Sequence, residues 1–264
     1  MLMKKRKIKP SFLAAGYVLF GCLFMAVCII ISPIGADTVI TSEEKLPAAA
    51  EGENAKAEEA RRTVILMIDP GHGGEDGGAV GDGGVTEKEL NLAVSENIAD
   101  LSMLFGVPYS MTRDSDKLLY DKYGELTDYT GKKKSLDLKN RLRSAEEEGA
   151  EVFLSIHMNK FTSPAYSGLQ VYYSPNNDGS RVLAEAITAY NRAHLQTDNE
   201  RVAKSATSSI YLLHRLQIPA VLVECGFLSN PTETALLQSE NYRASLACTV
   251  FTPLLEYCTR AAEG

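Results

Sequence analysis

The hydrophobic positions of this chain form one long apolar segment near the N-terminus and, after a polar stretch, a series of shorter runs. Short runs rich in β-branched or aromatic residues predict strands at 64–68, 107–111, 152–156, 169–173 and 220–223. Apolar residues at helical spacing predict helices at 87–105, 136–148, 180–192 and 240–257. This alternation predicts an α/β fold in which a mostly parallel, twisted sheet carries helices on both faces.

The N-terminal apolar segment has the features of a membrane anchor. Residues 1–11 contain five basic residues and no acid, and the uncharged stretch at 12–32 has the ~20 residues that cross a bilayer as a helix. A signal-peptide core is shorter, about 7–15 residues, and residues 34–36 make a poor cleavage site. We therefore predict an uncleaved transmembrane helix over 12–34, in preference to a cleaved signal or a buried core helix, with the basic end in the cytoplasm.

Beyond this anchor the chain divides into a tether and a body. Residues 35–62 are rich in alanine and glutamate and show no strong apolar period, which predicts a flexible linker. All the other predicted strands and helices lie in residues 63–264. The orientation of the anchor places this body on the extracytoplasmic side of the membrane.

The net charge of the body limits the classes of binding partner, and the cysteine spacing indicates how the cysteines are used. The whole chain has a net charge of −7, and residues 37–264 hold 22 basic against 34 acidic residues, a net charge of −12. An acidic body without a basic patch argues against a nucleic-acid partner. Cys225, Cys248 and Cys258 have no paired or C-x-x-C spacing, so we predict buried apolar residues or free thiols.

Four polar residues are expected to meet at one edge of the predicted sheet. His72 follows the first strand, and Glu87 begins a helix after a glycine-rich loop. His157 and Glu224 close the strands that begin at 152 and 220. Ligands of open α/β sheets bind beyond these carboxyl ends. A lone histidine at a strand end is more often structural, but two histidines and two glutamates can provide three zinc ligands and a carboxylate for proton transfer.

Five motifs resemble those of the zinc-dependent N-acetylmuramoyl-L-alanine amidase family (amidase type 3). In order they read IDPGHGGEDGGAVG at 68–81, TEKELNL at 86–92, TRDSD at 112–116, VFLSIHMN at 152–159 and PAVLVECGFLSNPTE at 219–233. Any one motif is unspecific, whereas five in the same order are specific. The resemblance implies a single catalytic domain at 63–264 and a peptidoglycan substrate, cut at the amide between N-acetylmuramic acid and L-alanine.

The same resemblance assigns roles to the four polar residues. It implies one zinc ion per catalytic domain, with His72, Glu87 and His157 as ligands, and Glu224 as general base and acid. Two alternatives are kept: a zinc peptidase or deacetylase of the cell wall, and a non-catalytic wall-binding or activator protein on the same scaffold. Loss of a ligand or of the base would favour the non-catalytic protein, and none is missing.

Within the family the chain resembles the spore-cortex, or germination-specific, amidases, which are likewise short and have an N-terminal apolar segment. The run at 167–173 and the long stretch at 118–142 carry this resemblance. It implies removal of peptides from muramic acid so that muramic lactam forms, and a location in the cell wall or the spore intermembrane space. The inhibitory helix of some division amidases is not evident, which implies control by an activating partner protein or by timed expression.

Several other polar residues allow two interpretations. Glu75 and Asp76 are contacts of the site or substrate, or else solvated loop acids, and we favour the second. Arg113 and Arg141 either bind peptide carboxylates or form structural ion pairs with Asp114 or nearby glutamates.

Five further residues are not assigned a catalytic role. Asn159 orients the site or forms a turn. Glu89 is two residues from the ligand glutamate and therefore faces elsewhere on the helix. Strand alternation turns Cys225 away from the face of the proposed base, which argues against a cysteine hydrolase. His194 and His214 have no partner motif and are expected on the surface or in helices.

Overall fold

The computed structural model describes residues 64–263. The predicted cytoplasmic segment (1–11), transmembrane helix (12–34) and linker (35–62) lie outside these residues. Among the helices that the structure does describe, none is both long and apolar enough to cross a bilayer.

Six strands in the described part of the chain form one mixed sheet. They are β1 (Leu66–Pro70), β2 (Tyr109–Met111), β3 (Val152–Asn159), β4 (Gln170–Tyr173), β5 (Lys204–Ser205) and β6 (Ala220–Phe227). Their order across the sheet is β2-β1-β3-β6-β4-β5. The first four in this order are parallel, β4 is antiparallel to β6, and β5 is parallel to β4.

The sheet is mostly parallel, as predicted, but the pair β4 and β5 runs opposite to the other four strands. Residues 160–169 connect β3 to β4 without a helix. A parallel return needs a crossover of about a dozen residues or more, usually helical, so a connection this short brings the chain back in the opposite direction. As a result, Gln170 at the start of β4 lies opposite Glu224 on β6.

Helices cover both faces of the sheet, as predicted. Residues 64–263 contain α1 (Glu87–Leu104), α2 (Lys133–Glu147), α3 (Asp178–His194), α4 (Tyr211–Arg215), α5 (Pro231–Gln238) and α6 (Glu240–Glu263). The helices α1, α3, α5 and α6 contribute to one apolar core, and α2 and α4 contribute to the other. Strand β6 separates the two cores by simple alternation, since Val221 and Val223 belong to the first and Ala220 and Leu222 to the second.

All nine elements predicted from the sequence are present, and the differences lie at their ends. The helix predicted from 136 begins at Lys133, and the strands predicted to stop at 156 and 223 continue to Asn159 and Phe227. Strand β5 and helices α4 and α5 were not predicted, because two to eight residues give little periodicity. The cysteines at 225, 248 and 258 are free, as expected.

A buried ion network lies beneath the edge where β1, β3 and β6 end. The guanidinium of Arg141, on α2, lies 2.7 Å from carboxylate oxygens of both Asp69 and Asp137. Asp69 also accepts hydrogen bonds from the hydroxyls of Thr112 and Ser155. Burial alone would raise the pKa of Asp69, but Arg141 and these hydroxyls outweigh it and lower the pKa. The network therefore keeps its carboxylate charged inside the protein.

Replacing Arg141 with alanine is expected to lower the free energy of unfolding by about 3–5 kcal/mol, because Asp69 and Asp137 would stay buried without a counter-charge. Arg143→Ala is the matched control on the same helix. The side chain of Arg143 is 46% exposed and pairs with exposed Glu125 and Glu147, so water screens its interactions and the loss should be far smaller. Chemical denaturation of both variants measures the difference, and equal losses would contradict this account.

Candidate metal centre

The carboxyl ends of three parallel strands bring the predicted site residues to one edge of the sheet. His72 follows β1 by two residues. His157 on β3 and Glu224 on β6 are direct partners across the parallel pair. The rings of His72 and His157 are 5.1 Å apart and meet edge to face.

Glu87 reaches the same point from the first turn of α1. Thr86 caps this helix and forms a capping box with Glu89. The Glu87 carboxylate is buried and accepts hydrogen bonds from the backbone N–H groups of Ala79 (2.8 Å) and Met158 (3.2 Å). Its position at the helix N-terminus also favours the negative charge. The carboxylate is therefore fixed in place by three separate segments of the chain.

The backbone around His72 is shaped to allow close approach. His72 has φ of 61°, the one positive φ of a non-glycine residue within 64–263, and such a conformation costs on the order of 1 kcal/mol. Its carbonyl accepts a 2.7 Å hydrogen bond from Arg141. A Cβ on Gly71 would overlap the His157 ring, and one on Gly78 would press on the Glu87 carboxylate. Glycine is therefore required at both positions for these side chains to meet.

The donor atoms of three residues have the spacing of a zinc site. Nε2 of His72 lies 3.2 Å and Nδ1 of His157 lies 3.0 Å from the same oxygen, Oε1 of Glu87. All three ligand atoms lie within 4.8 Å of one another. Zinc bonds of about 2.0–2.2 Å in tetrahedral geometry separate ligand atoms by about 3.3 Å. Two imidazoles and a carboxylate at this spacing fit one zinc ion and leave a fourth position open.

Asp76 supports this arrangement from behind His72. Its Oδ2 lies 3.0 Å from Nδ1 of His72. At this distance the charge of Asp76 acts on the imidazole of His72 from the side opposite Nε2, although the angle is not that of a hydrogen bond. The structure thus corrects the favoured expectation that Asp76 is a solvated loop acid. That expectation holds for its neighbour Glu75, whose exposed side chain pairs with Lys133.

The electrostatic environment keeps Glu87 ionised. Burial alone would raise its pKa, but hydrogen bonds and charges from His157 and His72 outweigh burial and hold the pKa of Glu87 well below its usual range. Burial would lower the pKa of His72, whereas Glu87 and Asp76 outweigh it and raise that pKa. A metal ion and a proton therefore compete for His72, as they do for any histidine ligand.

Glu224 faces the same site, but its surroundings raise its pKa, whereas those of Glu87 lower it. Its Oε2 is buried and makes no hydrogen bond to the rest of residues 64–263. Burial raises the pKa of Glu224 to about 7, with the charge of Glu87 adding to the effect and the two histidines opposing it. Buried carboxylate oxygens without a partner are rare in folded proteins. Glu224 lines a cavity of about 260 Å³ together with His72 and His157.

Both arginines that were candidates for substrate binding are structural. Arg141 is 2% exposed and pairs with Asp69 and Asp137, so its ion-pair partners differ from those expected. Arg113 is 1% exposed and donates to the carbonyls of Pro70 and Gly71. Neither guanidinium is available to a peptide carboxylate.

The residues to which the sequence analysis assigned no catalytic role include several that lie outside the metal centre. Glu89 belongs to the capping box, and Cys225 is buried in the core on the opposite face from Glu224. Burial raises the pKa of the Cys225 thiol strongly, which disfavours the reactive thiolate. His194 and His214 are exposed helical residues.

Two polar residues near the site have backbone roles. Asn159 is the last residue of β3, at a register shift against β6, and its carbonyl accepts a hydrogen bond from the N–H of Leu228, so the turn that was one of its two expected roles is instead the irregular end of a strand. Sequence reasoning missed Asn91, whose buried amide donates to the Gly71 carbonyl at 3.0 Å and to Glu87 at 3.4 Å. Asn91 lies four residues after Glu87 and therefore on the same face of α1, and this spacing is the signal that could have identified it from the sequence.

Comparison with known proteins agrees with this geometry. A family model described as N-acetylmuramoyl-L-alanine amidase matches residues 66–255. The germination-specific N-acetylmuramoyl-L-alanine amidase of Bacillus subtilis (strain 168) is 34% identical over 201 residues, covering 75% of this chain and 81% of the relative.

Two solved structures share the fold. The CwlD amidase from Clostridioides difficile, solved in complex with the GerS lipoprotein, has a TM-score of 0.68 and 33% identity, covering 74% of this chain and 98% of that chain. The amidase AmiC2 of Nostoc punctiforme has a TM-score of 0.61 and 31% identity, covering 74% and 96%.

Glu87→Gln is expected to reduce zinc affinity by at least about 100-fold, because the variant loses the charged ligand that both histidines face. The wild-type protein should bind one zinc ion per chain. Glu89→Gln is the matched control, since Glu89 lies on the same helical turn but its carboxylate accepts its hydrogen bonds from Thr86 in the capping box, and it should bind zinc normally. Metal analysis after dialysis, followed by competition with a chelator, measures both; normal zinc affinity in Glu87→Gln would refute the ligand set.

Proposed function

This chain belongs to the N-acetylmuramoyl-L-alanine amidase family, and we propose that it removes stem peptides from the peptidoglycan of the spore cortex by hydrolysing the amide between N-acetylmuramic acid and L-alanine. We further propose that His72, Glu87 and His157 bind one catalytic zinc ion, and that Glu224 is the general base and acid.

One observation carries the assignment of the site. Three zinc-type donor atoms lie within 4.8 Å of one another, next to a fourth residue whose carboxylate oxygen is buried and free. Structural zinc sites use four protein ligands, whereas catalytic sites keep one position for water or substrate. The set of three donors with an adjacent carboxylate supports catalysis over a purely structural metal.

The residues divide the work of amide hydrolysis. When bound, zinc polarises a carbonyl and makes water more acidic. Glu224 has a pKa of about 7, so near neutral pH it exchanges protons readily in both directions. It takes a proton from the attacking water and passes it to the nitrogen of L-alanine, which leaves as an amine. The hydrogen bonds to Glu87 and the Asp76 contact with His72 hold the ligand set still during this transfer.

The alternative activities share the same residues, so the bond that is cut must separate them. A zinc peptidase would release fragments from inside the stem peptide, and a deacetylase would release acetate. A non-catalytic wall-binding protein would need a missing ligand or base, and this chain has all four residues. Family membership favours the muramoyl amide over the other two bonds.

The spore cortex and an activating partner are proposed from the relatives. The similar B. subtilis protein is named as germination-specific, and the similar C. difficile amidase was solved with a lipoprotein bound. We propose that this chain prepares muramic acid for lactam formation and that a lipoprotein partner controls its activity.

Glu224→Gln is expected to reduce kcat by about 100- to 10,000-fold while zinc remains bound, because the amide cannot carry the proton. Cys225→Ala is the control: the thiol packs in the core on the opposite face of β6 from Glu224, so activity should persist. Mass spectrometry of peptidoglycan digested by the zinc-loaded protein should show peptides with a free N-terminal L-alanine and intact muramic acid.

Other products would decide between the alternatives. Free acetate or internal peptide fragments would contradict the proposed bond. Full activity in Glu224→Gln would contradict the proposed base. Product that appears only after a co-expressed lipoprotein is added would support the activating partner.

We also propose that residues 12–34 anchor the protein, with the catalytic domain on the extracytoplasmic side, in the cell wall or the spore intermembrane space. The proposal is supported by the basic residues before 12 and by the uncharged length of the segment. A membrane-bound enzyme in this position would reach the nearest layers of peptidoglycan.

The full chain is expected to stay in the membrane fraction after alkaline carbonate extraction and to keep the intact mass. A variant with Leu19→Lys and Leu23→Lys should be extracted, because each charge near the centre of the span costs about 3 kcal/mol. An intact mass that shows loss of the first 36 or so residues would instead establish cleavage.

A further inference from the structure

The cavity beside Glu224 has an apolar wall and, toward solvent, the exposed Lys134 and the partly exposed Asp76. Leu138 of α2, Ile210, Tyr211 of α4 and Leu222 of β6 line its wall. Lys134 also lines this cavity and, in addition, borders a shallow depression beside Glu75 and Asp76. Lys134 is therefore the exposed cation of a lining that also contains the carboxylates of Asp69, Asp76, Asp137 and Glu224.

The position of Lys134 follows from helical spacing. Lys134, Asp137, Leu138 and Arg141 are three or four residues apart on α2 and all line the cavity, so they share one face of the helix. Arg141 lies at the buried end, where it donates to the His72 carbonyl. Seven residues of helix rise about 10 Å, which places the Lys134 backbone that distance from Arg141 and nearer to solvent.

Most of the other cations around the site have protein partners. Arg141 pairs with Asp69 and Asp137, and Arg113 donates to backbone carbonyls. Lys133 pairs with Glu75. Lys134 makes no hydrogen bond or ion pair with the described residues, and its exposed amine acts on Asp76 only as a more distant charge that lowers the pKa of that acid.

Lys134 lies at the start of α2, where a positive charge without a partner is unfavourable for the helix. The first turn of α2 contains no acidic residue, and lysines occupy positions 132, 133 and 134. Cations are unfavourable at a helix N-terminus because the helix dipole is positive there. The unpartnered lysine therefore does not serve to stabilise its own helix.

We propose that Lys134 binds a carboxylate of the stem peptide, the free α-carboxylate of the γ-linked D-glutamate that follows L-alanine, while the apolar wall receives the alanine side chain. The inference rests on the proposed amidase function and deepens it. Two extended peptide residues span at most about 7 Å from the scissile amide. The side chain of Lys134 covers the rest of the distance between the metal centre and its own backbone. Leu138 of the apolar wall lies one helical turn from Lys134 on the same face of α2, so the wall and the cation are spaced to contact neighbouring residues of the peptide.

The test compares two muramoyl tripeptides that differ only at this carboxylate, which is free in one and amidated in the other. The zinc-loaded full-length wild-type protein is expected to prefer the free carboxylate, chiefly through KM, by about tenfold or more. Lys134→Gln should lose this preference by raising KM for the free carboxylate, with kcat changed little. Lys139→Gln should keep the preference, because Lys139 is an exposed lysine on the same helix that does not line the cavity.

The outcomes distinguish this inference from the proposed function. If the wild type cleaves both substrates and Lys134→Gln keeps the wild-type preference, the carboxylate site is refuted and the amidase function stands. An equal loss on both substrates would show a structural role and would also refute it. If the wild type, assayed with its partner lipoprotein, releases no peptide from either substrate, both proposals fail.

Discussion

The buried carboxylate of Glu87 is the interaction on which the site depends. It accepts hydrogen bonds from the loop after β1 and from the end of β3, and it faces one nitrogen of each histidine. An ionised carboxylate is costly to bury unless such partners surround it. The same contacts that make its burial possible therefore also position His72 and His157. Helix α1, the glycine-rich loop and β3 are joined at this one group.

A second buried charge system supports the first from below. The left-handed conformation of His72 takes the chain out of the sheet, so the carbonyls of residues 70–72 cannot continue the strand ladder. Arg113 and Arg141 supply the missing donors to these carbonyls, and Asp69 and Asp137 neutralise Arg141. Buried polar backbone needs such partners. The left-handed conformation of His72 is thus supported by the ion pairs that Arg141 makes with Asp69 and Asp137.

The sequence was informative wherever the answer depends on strand direction and periodicity. Parallel strands end at the same edge, so His157 and Glu224 were predicted to meet, and alternation was enough to turn Cys225 into the core. The antiparallel β4 and the contact of Asp76 with His72 were not predictable in this way. Both depend on the path of a loop, which no periodic pattern encodes. For the same reason the sequence could not show that the arginines are buried and that Lys134 remains free.

The two glutamates of the site show how one fold gives the same side chain two functions. Glu87 has donors on both oxygens, and these hold its pKa low, so it remains an anion suited to a metal. Glu224 lies beside it with one carboxylate oxygen buried and unpartnered, and its pKa rises to about 7. Hydrogen bonding and desolvation thus move the two pKa values in opposite directions within a single site. Exchanging the two roles would require moving the backbone donors of Ala79 and Met158, because the difference lies in the surroundings and not in the residue type.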